Sequence, residues 1–251
     1  TYGVGDNIDI TVTWDENVYV TGTPTLTLSN GATATYDPTN ADNGPAALVF
    51  EYQVAEGNTD STNLSVYSYT GTIKDASGNT AEPDISGNLG GVIVDANSPT
   101  FVSVAATDGT YGVGDNIDIT VTWNESVNVT GTPTLALSNS ASATYQSGTG
   151  SAALVFRYTV AEGDTDSTDL SVSSYSGTIQ DAGGNTAAAV SGDLGSVIVD
   201  ANSPSFVSVA AADGTYGVGD NIDITVTWND SVSVTGTPTL TLSNSATATY
   251  Q

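Results

Sequence analysis

Thr1-Tyr2-Gly3-Val4-Gly5-Asp6-Asn7-Ile8-Asp9-Ile10-Thr11-Val12-Thr13-Trp14 opens the chain, and the same letters return from Thr110 and again from Thr215. The spacings are 110 − 1 = 109 and 215 − 110 = 105 residues, close to the length of one small domain. Repeats of about twenty to fifty residues build solenoids, in which no unit stands alone. A period this long instead implies beads in a row, each with its own core. Inside the stretch, Ile8, Ile10, Val12 and Trp14 fall on one parity and Asp9, Thr11 and Thr13 on the other. Side chains alternate across a strand, so the pattern predicts a half-buried β-strand with its Thr/Asp face outward. The β-branched residues agree with a strand and not with a helix. Gly3-Val4-Gly5 lacks the third glycine and the following helix of a dinucleotide loop.

Composition narrows the function. Among 251 residues there are 28 Asp plus Glu, 2 Lys plus Arg and no His, Cys or Met, for a formal charge of −26. With two cations against 28 acids the surface is poorly suited to bind phosphate, so nucleic acid and anionic membrane surfaces are not expected partners. Ser–His and Cys–His catalysis are excluded, as are zinc and copper sites built on imidazole or thiolate. A paired-carboxylate glycosidase is the common enzymatic option left, and it needs a substrate cleft that tandem copies of a small sandwich seldom provide. No enzymatic role is expected. Hard divalent cations are the natural counterions for so many carboxylates, while much of the acid excess reads as a solvated face that keeps the array apart from its copies. No apolar run reaches the ~20 residues of a membrane span.

The middle repeat carries the full pattern. Strands are expected over 101–105, 117–123, 134–137, 142–146, 152–160, 170–179 and 197–199, separated by clusters of Gly, Asn, Asp and Ser. Seven short strands in about a hundred residues predict an all-β, Greek-key β-sandwich. The expected layout is unit 1 over 1–94 without its first strand, unit 2 over 100–199, and unit 3 over 205–251 as an N-terminal half. The connecting stretches, Asp-Ala-Asn-Ser-Pro at 95–99 and again at 200–204, are identical, and five residues with a proline predict a short, stiff joint. Trp14, Trp123 and Trp228 end apolar strand faces and are expected in cores. Tyr2, Tyr36, Tyr52, Tyr111, Tyr145 and Tyr158 recur in register and are expected as core or corner residues rather than a sugar-binding platform.

Asp-Gly-Thr-Tyr-Gly-Val-Gly-Asp (108–115), Val-Thr-Gly-Thr-Pro-Thr-Leu (129–135) and Asp-Ala-Gly-Gly-Asn-Thr (181–186) resemble the bacterial immunoglobulin-like, cadherin-like extender repeats of giant secreted adhesins. The resemblance covers the whole chain. It implies tandem immunoglobulin-like sandwiches of about seven strands and a mechanical role in an extracellular, cell-surface protein. The Gly-Gly-x-Gly-x-Asp calcium β-roll repeat of secretion modules is absent from the chain.

In an immunoglobulin-type sandwich the first, third and fifth loops gather at the pole where the chain leaves, and the second and sixth at the pole where it arrives. That topology collects oxygen donors at each junction. At the first, Asp6, Asp60 and Asn63 come from the trailing pole of unit 1, Asp95 and Asn97 from the linker, and Asn124, Glu125, Asp181 and Asn185 from the leading pole of unit 2. At the second, Asp108, Asp115, Asp164, Asp166 and Asp169 meet Asp200 and Asn202 of the linker and Asp230 of unit 3. Calcium takes about six to eight oxygens, and crowded carboxylates repel one another without an ion. Inter-domain calcium is therefore the expected cofactor.

The expected function is that of a stalk segment of an adhesin or surface filament, rigidified by calcium at its junctions. Its expected partners are neighbouring repeats of the same chain, and identical chains in a filament. Two alternatives remain at this level: a protomer of a homopolymeric fibre or surface layer whose repeats make lateral contacts, and an array of carbohydrate-binding modules. Exposed aromatics gathered on one sheet face would favour the last.

Overall fold

The computed structural model describes residues 1–82 and 84–251, and within them the chain is all-β without a helix. In unit 1, β1 (Asn7–Thr13), β2 (Tyr19–Leu28), β3 (Thr33–Tyr36), β4 (Ala47–Gln53), β5 (Ser65–Lys74) and β6 (Gly87–Asn88) form a sheet in the order β1-β4-β3-β2-β5-β6. The expected alternation is met in β1: Ile8 and Ile10 are buried, while Asn7, Asp9 and Thr11 are exposed. Across β1 and β4, Ile8 pairs with Tyr52 and Ile10 with Phe50, so each cross-strand pair places two apolar side chains on the core face. One buried cluster runs from Ile8 to Ala96 and includes Leu26, Leu28, Phe50, Leu64 and Ile73.

Unit 2 contains β7 (Phe101–Ala105), β8 (Gly109–Tyr111), β9 (Asn116–Leu137), β10 (Ser142–Ser147), β11 (Ser151–Thr159), β12 (Ser171–Gln180), β13 (Gly192–Asp193) and β14 (Val197–Val199). The expected strands over 117–123 and 134–137 are a single strand here. The first half of β9 pairs with β7 and β11; its second half pairs with β10 and β12. A strand that passes from one layer to the other in this way makes a corner of a sandwich-like body. Strand β8 pairs with β14 in parallel, Thr110 opposite Ile198. Trp123, Phe156, Ile117, Ile119, Leu135 and Leu154 lie at the centre of the second core, with Tyr175 edge-on to Trp123 at 6.4 Å between centroids.

Beyond the second linker, β15 (Phe206–Ala211) pairs with β16 (Ile224–Trp228), and β17 (Thr239–Thr241) with β18 (Thr247–Thr249). The core expectation for the tryptophans holds fully only for Trp123, which is 1% exposed; Trp14 is half-buried and Trp228 is 41% exposed. Trp228 packs edge-on against Phe206. Both linkers start inside a core: Ala96 and Ala201 are fully buried with the preceding unit. Their free span is thus shorter than the expected five residues.

Candidate functional site at the unit junctions

Each linker is held by the same set of side chains. At the first, Asp60 Oδ1 accepts hydrogen bonds from the Ala96 N–H and Asn97 Nδ2, both at 2.8 Å. Glu56 accepts from the Ser98 N–H at 3.1 Å and from its hydroxyl at 2.6 Å. From the following unit, Asn124 Oδ1 takes the Thr100 N–H at 2.7 Å. The second linker repeats this atom for atom, with Asp166 on Ala201 and Asn202, Glu162 on Ser203, and Asn229 on the Ser205 N–H. Hydrogen bonds to ionised acceptors are among the stronger ones, and here they fix the linker backbone from both sides.

Five of the expected calcium donors, Asp60, Asp166, Asn97, Asn202 and Asn124, therefore serve as linker clamps. Others close turns of their own units. Asp6 and Asp115 accept the amides of Gly3 and Gly112, three residues back; Asp164 accepts from the Tyr158 hydroxyl and the Ala161 N–H; Asp108 accepts the Ser196 N–H. Asn63 Oδ1 takes the Gly91 N–H at 3.4 Å, and Asp230 caps Ser231. Asp200 donates its backbone N–H to Tyr111, and the Asp169 N–H bonds the Ser167 hydroxyl. Burial pushes the Tyr158 phenol up to about 12, with the Asp164 carboxylate adding to the rise. Turn chemistry selects Asp and Asn for the same reason a metal does, an oxygen acceptor on a short stem.

The first junction adds direct contact between units. Asp181 and Asn185, 5% and 3% exposed, belong to unit 2 and are bonded to each other: Asp181 Oδ1 takes the Asn185 N–H at 2.9 Å and Oδ2 takes Asn185 Nδ2 at 2.8 Å. Asn185 Nδ2 also donates to the Asp95 carbonyl at 2.9 Å, and its Oδ1 accepts the Val4 N–H at 2.5 Å. One buried amide thus ties unit 2 to the linker and to the opening turn of unit 1.

Around it the carboxylates crowd. Asp95, Glu125 and Asp60 line one cleft with Ser61, Thr62, Ile93 and Val94. Burial raises the Asp95 carboxyl above its ordinary range, with Asp181 and Asp60 adding repulsion, while amides of Asn97 and Gly183 pull it down. Glu125 is raised by burial, then by Asp181, Asp95, Asp60 and Glu56. Among the described residues no three acids form a ready-made metal cage. The cleft nevertheless gathers mutually repelling carboxylates beside hydroxyls, the oxygen type of donor that a hard cation takes.

Sequence reasoning missed Glu56, Ser98 and Ser203 as junction residues. The signal was present, because Val-Ala-Glu-Gly occurs at 54–57 and 160–163 and the linker serines stand in identical contexts. The recurring tyrosines divide: Tyr52 and Tyr158 are buried, while Tyr2, Tyr36, Tyr111 and Tyr145 are half-buried. Comparison with protein-family models, with curated proteins and with solved structures finds no match.

Proposed function

We propose that the chain is a structural extender segment of a long extracellular bacterial adhesin or surface filament, built of tandem immunoglobulin-like Greek-key sandwiches of about seven strands each. The observation that carries this is the linker clamp, made twice from the same side chains. A stalk has to transmit length, so each joint must hold one geometry, and a pinned linker with a proline does so where a Gly/Ser tether would not. The pairing of unit 2 supports the immunoglobulin-like topology: β7 to β9 and β9 to β11 in one layer, β9 to β12 in the other, and β8 parallel to β14 across the closing edge. The charge of −26 supports a role in which neighbouring chains are kept apart and no nucleic acid is bound.

Calcium is the ion this reading assigns to the first junction, with Asp60, Asp95 and Glu125 as the side chains that would hold it. Bound there, it would neutralise like charges in a partly desolvated cleft, and it would do no chemistry beyond that. Carbohydrate binding draws less support, because Tyr52, Tyr158 and Trp123 are buried. The exposed Tyr19 and Tyr67 sit at opposite ends of the β2–β5 pair and make no shared platform.

The test is thermal unfolding and small-angle scattering of the chain in millimolar calcium and in chelator. An extended profile in both conditions and a higher Tm with calcium are expected. An ion that binds the folded state alone adds about 2.7 kcal/mol at a hundredfold excess over Kd. An unresponsive Tm would remove calcium from the proposal, and the profile of freely jointed beads would remove the stalk.

A further inference from the structure

The three copies of the opening stretch all carry the glycine of Gly3, as Gly112 and Gly217. In unit 1 this glycine is docked against unit 2. A methyl group at Gly3 would lie 2.5 Å from the Gly183 carbonyl and 2.6 Å from Asn185 Oδ1. The opposing surface is as tight: a methyl group at Gly183 would meet Asp95 Cβ at 2.8 Å. Neither Gly3 nor Gly183 has a left-handed backbone, so the joint uses their lack of a side chain and not their conformational freedom.

Unit 1 has the matching loop, Asp75-Ala76-Ser77-Gly78-Asn79, in the same shape. Asp75 accepts the Asn79 N–H at 2.8 Å and Asn79 Nδ2 at 2.7 Å, as Asp181 does for Asn185, and Gly78 and Gly184 share a φ of 90°. The difference is Ser77, whose side chain projects where Gly183 has none. We propose that loop 181–185 is a socket for the end of a preceding repeat, its Gly183 carbonyl and Asn185 against the Gly-Val-Gly turn and the bare Gly183 Cα against the linker aspartate, and that the Ser77 copy of the loop is closed to such a seat. This rests on the extender reading and adds to it that joints along the array are of two kinds. A seated joint has its amide bridge from Asn185 to Val4 and Asp95 and needs no ion to hold its angle. A joint led by a Ser77-type loop has the linker clamp alone.

The chain has no cysteine, so Thr33→Cys and Ser142→Cys, both at exposed positions, place one spin label in unit 1 and one in unit 2 of the full chain. Interspin distances are measured in chelator. The parent chain is expected to show one narrow distance peak, Gly183→Ser to lose it, and Gly112→Ala to keep it. The 75–79 loop already folds with serine at that position, so Gly183→Ser is expected to keep the unfolding temperature of unit 2. A peak that stays narrow in Gly183→Ser overturns the socket and leaves the stalk intact. A broad distribution in the parent chain also overturns it, and if the breadth persists in calcium the stalk falls with it.

Discussion

Asp9 and Glu51 stand directly opposite each other on β1 and β4, an unfavourable pair of like charges. The matching positions of unit 2 hold Asp118 and Arg157, joined by two hydrogen bonds of 2.6 and 2.8 Å. Arg157 holds the Asp118 carboxyl below the usual range. Glu51→Arg should transfer that pair to unit 1 and stabilise it by roughly 0.2–1 kcal/mol, the range for exposed pairs. Urea unfolding in low and high salt would show this as a gain that shrinks with salt; an unchanged midpoint at low salt would refute it. The junction acids behave in the opposite sense. Asp95 and Glu125 have folded-state pKa values above their ordinary ones, so the folded state takes up protons first as pH falls. Their repulsion is therefore fully present near neutrality and is relieved as pH drops through the raised values toward the ordinary range near 4. Below that, Asp37, Asp75 and Asp164, which turn hydrogen bonds hold low, lose stabilisation as they protonate. Calorimetry without calcium should thus place the Tm maximum in mild acid, and a Tm that only falls below pH 7 would contradict the junction assignment. At this scale the letters were ambiguous: Asp181 and Asn185 were legible as a junction pair, but a carboxylate that caps a loop and one that binds an ion are written alike.

Among the elements, β9 is the clearest departure from expectation. In unit 2 the Gly150 N–H reaches the Val127 carbonyl at 2.8 Å, and the ladder continues through the corner. In unit 1 the matching Gly44 N–H turns to the Ala47 carbonyl at 2.9 Å, with Pro45 next to it, and the ribbon divides into β1 and β2. Proline has no N–H for a ladder, and the loop before β4 is longer by three residues, Tyr36 to Phe50 spanning 14 positions against 11 for Tyr145 to Phe156. Both units do share one feature at the β2–β5 and β9–β12 pairs. Gly71 and Gly177 lie at register shifts with φ of 113° and 102°, and a methyl group at either would lie within 2.8 Å of the proline at 24 or 133. Gly177→Ala should cost about 1–3 kcal/mol from backbone strain alone, with the close contact adding to it. Equilibrium denaturation of unit 2 measures this, and a loss below about 0.5 kcal/mol, the scatter of ordinary surface substitutions, would show that the strand shifts to make room.

At the scale of the molecule, the joints decide the shape. Glu162→Ala and Asp166→Ala remove the upstream half of the second clamp and take the acceptors from the Ala201 and Ser203 amides. Ala201 is fully buried, so its unpaired amide should cost unit 2 about 1–3 kcal/mol of stability, while the angle at the second joint is freed. Interspin distances across residues 200–204 would broaden in the double variant, and an unchanged width would mean that packing of Ala201 and the proline hold the joint unaided. The first joint should tolerate Glu56→Ala better, because Asn185 still bridges unit 2 to Val4 and Asp95.

The sequence by itself determined the repeat, the strand parity of the opening stretch, the all-β class and the exclusion of thiol and imidazole chemistry. These follow from period, alternation and composition, which are local properties of the chain and survive without any knowledge of what it packs against. Only the tertiary structure decided that β9 runs unbroken where unit 1 divides into β1 and β2, and that the Asp/Asn donors of the junctions are mostly spent on linker and turn amides. It also decided that Gly3 and Gly183 face one another across two units, a contact between residues 180 positions apart. Such facts depend on which backbone amides and which side chains arrive at the same place, and identical stretches of sequence arrive at different places when their neighbours differ.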